Sequence, residues 1–165
     1  CGYPSLAARA LVQHAVHCLQ LPCVVLTDWN PHGMALMLTY KFGSERFALE
    51  SYCCPTLSWI GLCSIDVEEL RKWCPESDDL DAEPDEVCSQ QLLKDALQPF
   101  TARDHSTLAG LMQRRVLLSD PTLMEEARAM EKAAAKLEIE ALHVFGQGYL
   151  VQFLVNKIVV AALNS

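Results

Sequence analysis

Six consecutive residues, Asp28-Trp29-Asn30-Pro31-His32-Gly33, concentrate side chains that could do chemistry. Asp28 and Asn30 stand two positions apart. In extended backbone alternate side chains share a side, so both would face one way and Trp29 the other. One carboxylate and one amide carbonyl on a common side suit a hard cation such as Mg2+, which keeps several waters and bridges phosphates. The same residue types also build turns, in which Asp28 or Asn30 bonds local backbone. A nucleophilic Asp following a strand is a third reading, but the second acid expected there is missing.

The neighbouring sequence must hold this segment in place. Cys23-Val24-Val25-Leu26-Thr27 reads as a short, fully buried parallel strand. An acid at the carboxyl end of such a strand lies where open α/β sheets bind ligands. Residues 28–33 are punctuated by Pro and Gly as a loop, and a helix over 34–42 stops at Gly43. Upstream, a helix over 4–19 begins with Pro4 as its first residue and is ended by Pro22. Short strands are predicted over 47–52 and 57–62, and this alternation favours an α/β fold. Ser64 caps a short helix running to Trp73. Thr101 caps a helix over 102–115, and Asp120-Pro121 opens an alanine-rich one. Gly146 and Gly148 precede a last apolar helix, too short and too interrupted by Gln152, Asn156 and Lys157 for a membrane span.

The chain has 165 residues, half of them hydrophobic, enough for one domain with a core. Its net charge of −8 argues at first against nucleic acid. The acidity is local, however. Positions 66–95 hold eleven acids and three bases, and the rest of the chain holds ten of each. Basic positions outside that segment remain able to meet phosphates. Residues 75–87 read as an acidic surface loop. Eight cysteines, at 1, 18, 23, 53, 54, 63, 74 and 88, include no C-x-x-C pair, so buried free thiols in a reducing compartment are the simplest reading. The opening residues show no signal peptide, and the chain reads as a piece of a longer protein.

Several further motifs accompany the Asp28 segment in a fixed order. Gly2-Tyr3-Pro4-Ser5-Leu6-Ala7-Ala8-Arg9 comes first, then Leu26-Thr27 before Asp28, then Tyr40-Lys41-Phe42-Gly43-Ser44. Leu57-Ser58-Trp59-Ile60-Gly61-Leu62, Asp66, Phe100-Thr101-Ala102-Arg103-Asp104, Lys136-Leu137-Glu138-Ile139-Glu140-Ala141-Leu142, Tyr149-Leu150 and Asn156-Lys157-Ile158 follow. Over nearly the whole chain this series resembles the family of the topoisomerase VI A subunit, which includes its eukaryotic relative, the meiotic double-strand-break transesterase. The resemblance implies a Toprim-type α/β fold, a mostly parallel sheet flanked by helices, with a helical C-terminal extension. It divides the chain into a Toprim core with the metal loop at 1–75, an acidic connector at 76–98 and a helical part of the same domain at 99–165.

The same resemblance implies a DNA-cleaving enzyme of the type IIB topoisomerase class. A tyrosine on an N-terminal winged-helix domain attacks a DNA phosphate and becomes linked to the 5′ end. Mg2+ is held by a glutamate and a D-x-D-type pair. Asp28 matches the first acid of that pair, and Asn30 stands at the second, where it offers a carbonyl without a charge. The glutamate and the tyrosine match no position here, so no catalytic residue lies in this chain and it should be inactive alone. Cys1 stands where a lysine usually precedes Gly-Tyr-Pro. The implied partners are DNA, a second protomer and an ATPase B subunit or B-like protein, without a membrane, and the implied location is the nucleus. Two enzymes are compatible, a meiotic one or the topoisomerase VI A subunit. So is a non-catalytic dimerisation or binding module in which Asn30 marks a lost metal site. Arg9, His32 and Lys41 are the candidate DNA contacts. Against these stand a surface salt bridge for Arg9 and a solvated helix end for Lys41. Arg103 and Asp104 read as a structural pair, and Trp29, Trp59 and Trp73 as packing residues.

Overall fold

The computed structural model describes residues 3–44, 52–73, 93–145 and 147–163. The expected strand over 47–52, apart from its last residue, and the acidic loop over 75–87 lie outside these. Ser5, in extended backbone, accepts a hydrogen bond from the Ala8 N–H and so starts helix α1 (Leu6–His17). Pro4 therefore falls just before the helix, because the hydroxyl of Ser5 supplies the cap.

Strand β1 (Val24–Val25) pairs in parallel with β2 (Ser58–Trp59), Val24 opposite Ser58 and Val25 opposite Trp59. The ladder continues past both named strands. Ser58 donates to Cys23, Ile60 to Val25 and Leu62 to Thr27, at 3.3, 3.0 and 3.0 Å. The strand is not fully buried as expected. Val25 and Thr27 are buried, but Val24 and Leu26 are 45% and 40% exposed, so the described residues cover one face only.

Helix α2 (Pro31–Phe42) begins three residues earlier than its apolar pattern indicates. Asn30 caps it by accepting the Gly33 N–H, Pro31 is its first residue, and Gly43 ends it with φ 86°. Its inner face, with Met34, Met37 and Leu38, is almost wholly buried. Gly33 is required by this packing. A Cβ there would collide with the Asp28 carbonyl oxygen and crowd Thr27. Helix α3 (Ser64–Trp73) follows β2.

The second half is mainly helical. Thr101 and Asp104 form a capping box at the start of α4 (Ala102–Met112). The expected helix to 115 breaks at Arg114, whose extended backbone restarts the chain as α5 (Arg115–Ser119). Asp120 caps α6 (Pro121–Ala133) with proline in its first turn, as the sequence indicates. Strand β3 (Gln98–Pro99) precedes α4, and it pairs antiparallel with β4 (Ala135–Lys136), into which left-handed Ala134, at φ 48°, turns the chain. A 3-10 segment (Ile139–Phe145) leads into the final helix α7 (Gln147–Leu163). One hydrophobic cluster runs from Val25 and Leu38 to Met130 and Leu142, so both halves share a core. The architecture is α/β, a small parallel sheet with flanking helices. Among the described residues no helix is long and apolar enough to cross a membrane.

Candidate functional site

Asp28 to Asn30 leave the end of β1, and residues from the far half of the chain hold them. Trp29 and Leu137 exchange two backbone hydrogen bonds, at 2.9 and 3.0 Å, in an isolated antiparallel bridge. Two residues on, the Ile139 N–H donates to Asp28 Oδ1 at 2.9 Å. Trp29 turns into the core, 2% exposed, while Asp28 and Asn30 both line a cavity.

The Trp29 indole is itself anchored. Its Nε1–H donates to Glu126 Oε1 at 2.7 Å. The same carboxylate accepts the Ser64 N–H and the Ser64 hydroxyl, both at 2.7 Å, at the start of α3. Glu126 thus joins α6, α3 and the site segment. Sequence reasoning misses it, because an acid within an alanine-rich amphipathic helix looks like any solvated one.

The cavity has a volume of about 500 Å3. Asp28, Asn30, His32, Tyr3, Ile139 and Arg103 are among the residues lining it. His32 Nε2 lies 3.5 Å from Asp104 Oδ1. Asp104 is 2% exposed, and Lys136 Nζ approaches its other oxygen at 3.4 Å. Burial alone would raise the Asp104 pKa. Hydrogen bonds from the Thr101 backbone and hydroxyl, with the Lys136 charge, overcome that and hold it below its ordinary value. Arg103 and Asp104, expected as a structural pair, do not pair with each other among the described residues; the partners of Asp104 are His32, Lys136 and Thr101. Arg103 is exposed and faces the cavity instead, a position with no sequence signal beyond the family motif around it.

The other two expected DNA contacts lie elsewhere. Arg9 is 2% exposed, with one guanidinium nitrogen 3.7 Å from Cys53 Sγ, and its Nε has no hydrogen-bond partner among the described residues. Lys41 lies at the far end of α2 from Asn30, about 15 Å along the helix. Burial lowers its pKa, with the Asp120 charge opposing.

The donor set accommodates one anchoring oxygen for Mg2+. Asp28 Oδ1 is occupied by the Ile139 N–H, and its second oxygen makes no hydrogen bond with the described residues. Asn30 Oδ1 already accepts the Gly33 N–H at 2.6 Å. Among the described residues no three His, Cys, Asp or Glu side chains converge on a metal-sized site. A hexacoordinate Mg2+ on Asp28 would take its remaining ligands from water, phosphate or other protein oxygens.

Comparison with known proteins places the chain in a family. The family TOP6A-Spo11 Toprim, the Toprim domain of Spo11 and of the topoisomerase 6 A subunit, matches residues 1–158. The meiotic recombination protein SPO11-2 of Arabidopsis thaliana is 32% identical over 161 residues, covering 96% of this chain and 36% of that protein. The meiotic recombination proteins SPO11 of Mus musculus and Homo sapiens are 28% and 29% identical, each over 95% of this chain and 35% of their own length. The chain spans about a third of the length of these relatives.

Proposed function

Since the chain belongs to the TOP6A-Spo11 Toprim family, we propose that it is the Toprim part of a DNA transesterase that makes meiotic double-strand breaks. The observation that carries this reading is the shared cavity, which Asp28 and Arg103, an acid and a base, both line. A DNA phosphate needs both, a metal ligand on one side and a cationic donor on the other. Mg2+ bound there would neutralise phosphate charge as it develops during strand transfer.

The protein's own residues have separable tasks in this reading. Asp28 supplies the metal-facing oxygen, oriented by the Ile139 N–H. Asn30 sets the start of α2 and lends its carbonyl to the metal only as a second, shared interaction. Arg103 holds a phosphate oxygen, with His32 beside it against Asp104. Arg9, buried beside Cys53, and Lys41, in the last turn of α2, lie outside this cavity. The nucleophilic tyrosine belongs to another part of the parent protein, which works in the nucleus as a dimer with an ATPase B-like partner. A non-catalytic binding module is the second reading. The engagement of Asn30 as a helix cap, which leaves one acid oxygen open to a metal, favours it.

A magnesium titration followed by NMR separates the two. Saturable shifts at Asp28 and Ile139, lost in Asp28→Ala with the rest of the spectrum intact, support the metal site. In the parent protein, Asp28→Ala should reduce cleavage to background while the domain stays folded. Undiminished cleavage by that variant would sink the assigned role.

A further inference from the structure

The Asp28 segment is held from two sides, and only one of the two holds touches Asp28 itself. On the cavity side the Ile139 N–H donates to Asp28 Oδ1 at 2.9 Å. On the core side the hold is indirect. Trp29 follows Asp28, and alternation along extended backbone sends its side chain the opposite way. Trp29 is 2% exposed, so its indole acts as a lever on the peptide bonds that flank it.

Apolar packing has no direction of its own, and the indole Nε1–H adds one. It donates to Glu126 Oε1 at 2.7 Å, a short bond of the stronger, charge-assisted kind. Glu126 is held in turn. Its Oε1 also accepts the Ser64 N–H, and its Oε2 accepts the Ser64 hydroxyl, both at 2.7 Å. The Ser64 N–H is one of the donors that a helix start leaves without an internal partner, and a carboxylate suits that end of α3. The start of α3 therefore clamps Glu126, and Glu126 clamps Trp29. Glu126 is not among the described residues that line the Asp28 cavity.

We propose that Glu126 is a positioning residue for Asp28: it fixes the Trp29 indole from the core side and so sets where the Asp28 carboxylate stands on the cavity side. This rests on the reading of Asp28 as the metal-facing acid. Metal uptake at Asp28 then depends on a second acid that never meets the metal, supplied from α6 and seated by α3.

The test uses the 165-residue chain, with Mg2+ as the probe and two NMR readouts. One is Mg2+ affinity from shifts at Asp28. The other is hydrogen exchange of the Leu137 and Ile139 amides, which bond Trp29 and Asp28. Glu126→Leu removes the acceptor, and Trp29→Phe keeps a ring in the core while removing the donor. Each should weaken Mg2+ binding about 10–100-fold, as loss of a group that orients a metal ligand does. Each should speed exchange at Leu137 and Ile139 about tenfold more than at Leu38, whose buried amide in α2 follows global stability. Glu126→Gln keeps a carbonyl for the indole and should behave as wild type in both readouts. In the Trp29→Phe background, Glu126→Leu should cost no further Mg2+ affinity, because the two act through one bond. Circular dichroism checks folding, and Trp29→Phe carries the test where Glu126→Leu does not fold. Wild-type Mg2+ affinity in either single variant, exchange that rises equally at all three amides, or additive losses in the double variant overturns the proposal. If the wild-type chain takes up no Mg2+, the metal reading of Asp28 falls instead, and the exchange pattern alone decides the role of Glu126.

Discussion

Asp104 shows how a buried charge near the site ties stability to pH. Its carboxylate accepts from the Thr101 N–H and hydroxyl, faces Lys136, and lies 3.5 Å from His32. Its folded pKa lies below its ordinary value, because those hydrogen bonds and the Lys136 charge outweigh burial. A depressed carboxylate pKa adds stability above the unfolded value and loses it as pH falls through the folded one. Asp104→Asn should therefore cost about 2 kcal/mol at neutral pH. The gap to wild type should close as pH drops below the ordinary aspartate range. Urea melts of both proteins at several pH values would reveal this, and a gap that stays constant into strong acid would refute it. The place of Asp28 at the mouth of a cavity is legible from its position after a β-branched run. The environment of Asp104 is not, since His32 and Lys136 come from distant parts of the sequence.

At the level of elements, the junction between β1 and α2 decides where Asp28 points. Gly33 lets α2 start against the strand end, and a side chain there meets the Asp28 carbonyl. Gly33→Ala should destabilise the domain by about 1–3 kcal/mol, as overpacking does. It should also weaken any Mg2+ response at Asp28, measured in the same titration. A variant of wild-type stability would show that the junction yields easily. This junction also explains why α2 starts three residues before its expected position. Asn30 and Pro31 together are a helix-start signal, which assigning Asn30 to a metal conceals. The two uses compete for one carbonyl. The parallel pairing of the strands and the cap at Asp120 follow from local residue types. The break at Arg114 and the 3-10 turn at Ile139 depend on distant packing, which local patterns do not contain.

For the molecule as a whole, electrostatics set the terms on which the proposed binding to DNA would occur. A chain of net charge −8 repels a polyanion, and positive groups must be placed against that field. Arg103 is such a group, exposed beside Asp28. Arg103→Gln should weaken DNA binding and lower the slope of log affinity against log salt by about 1, as loss of one phosphate contact does. An unchanged slope with Arg103→Gln, measured by fluorescence anisotropy, would remove Arg103 from the interface. The shared core gives the two halves a common fate. The Trp29–Leu137 bridge and the Ile139 N–H place the support for Asp28 more than a hundred residues downstream of it. A genetic lesion that stops translation or shifts the frame after Ala133 would spare every residue of the Asp28 segment. It would nevertheless remove the backbone that holds that segment, so such an allele should behave as a null although its mutation lies far from any acid of the site.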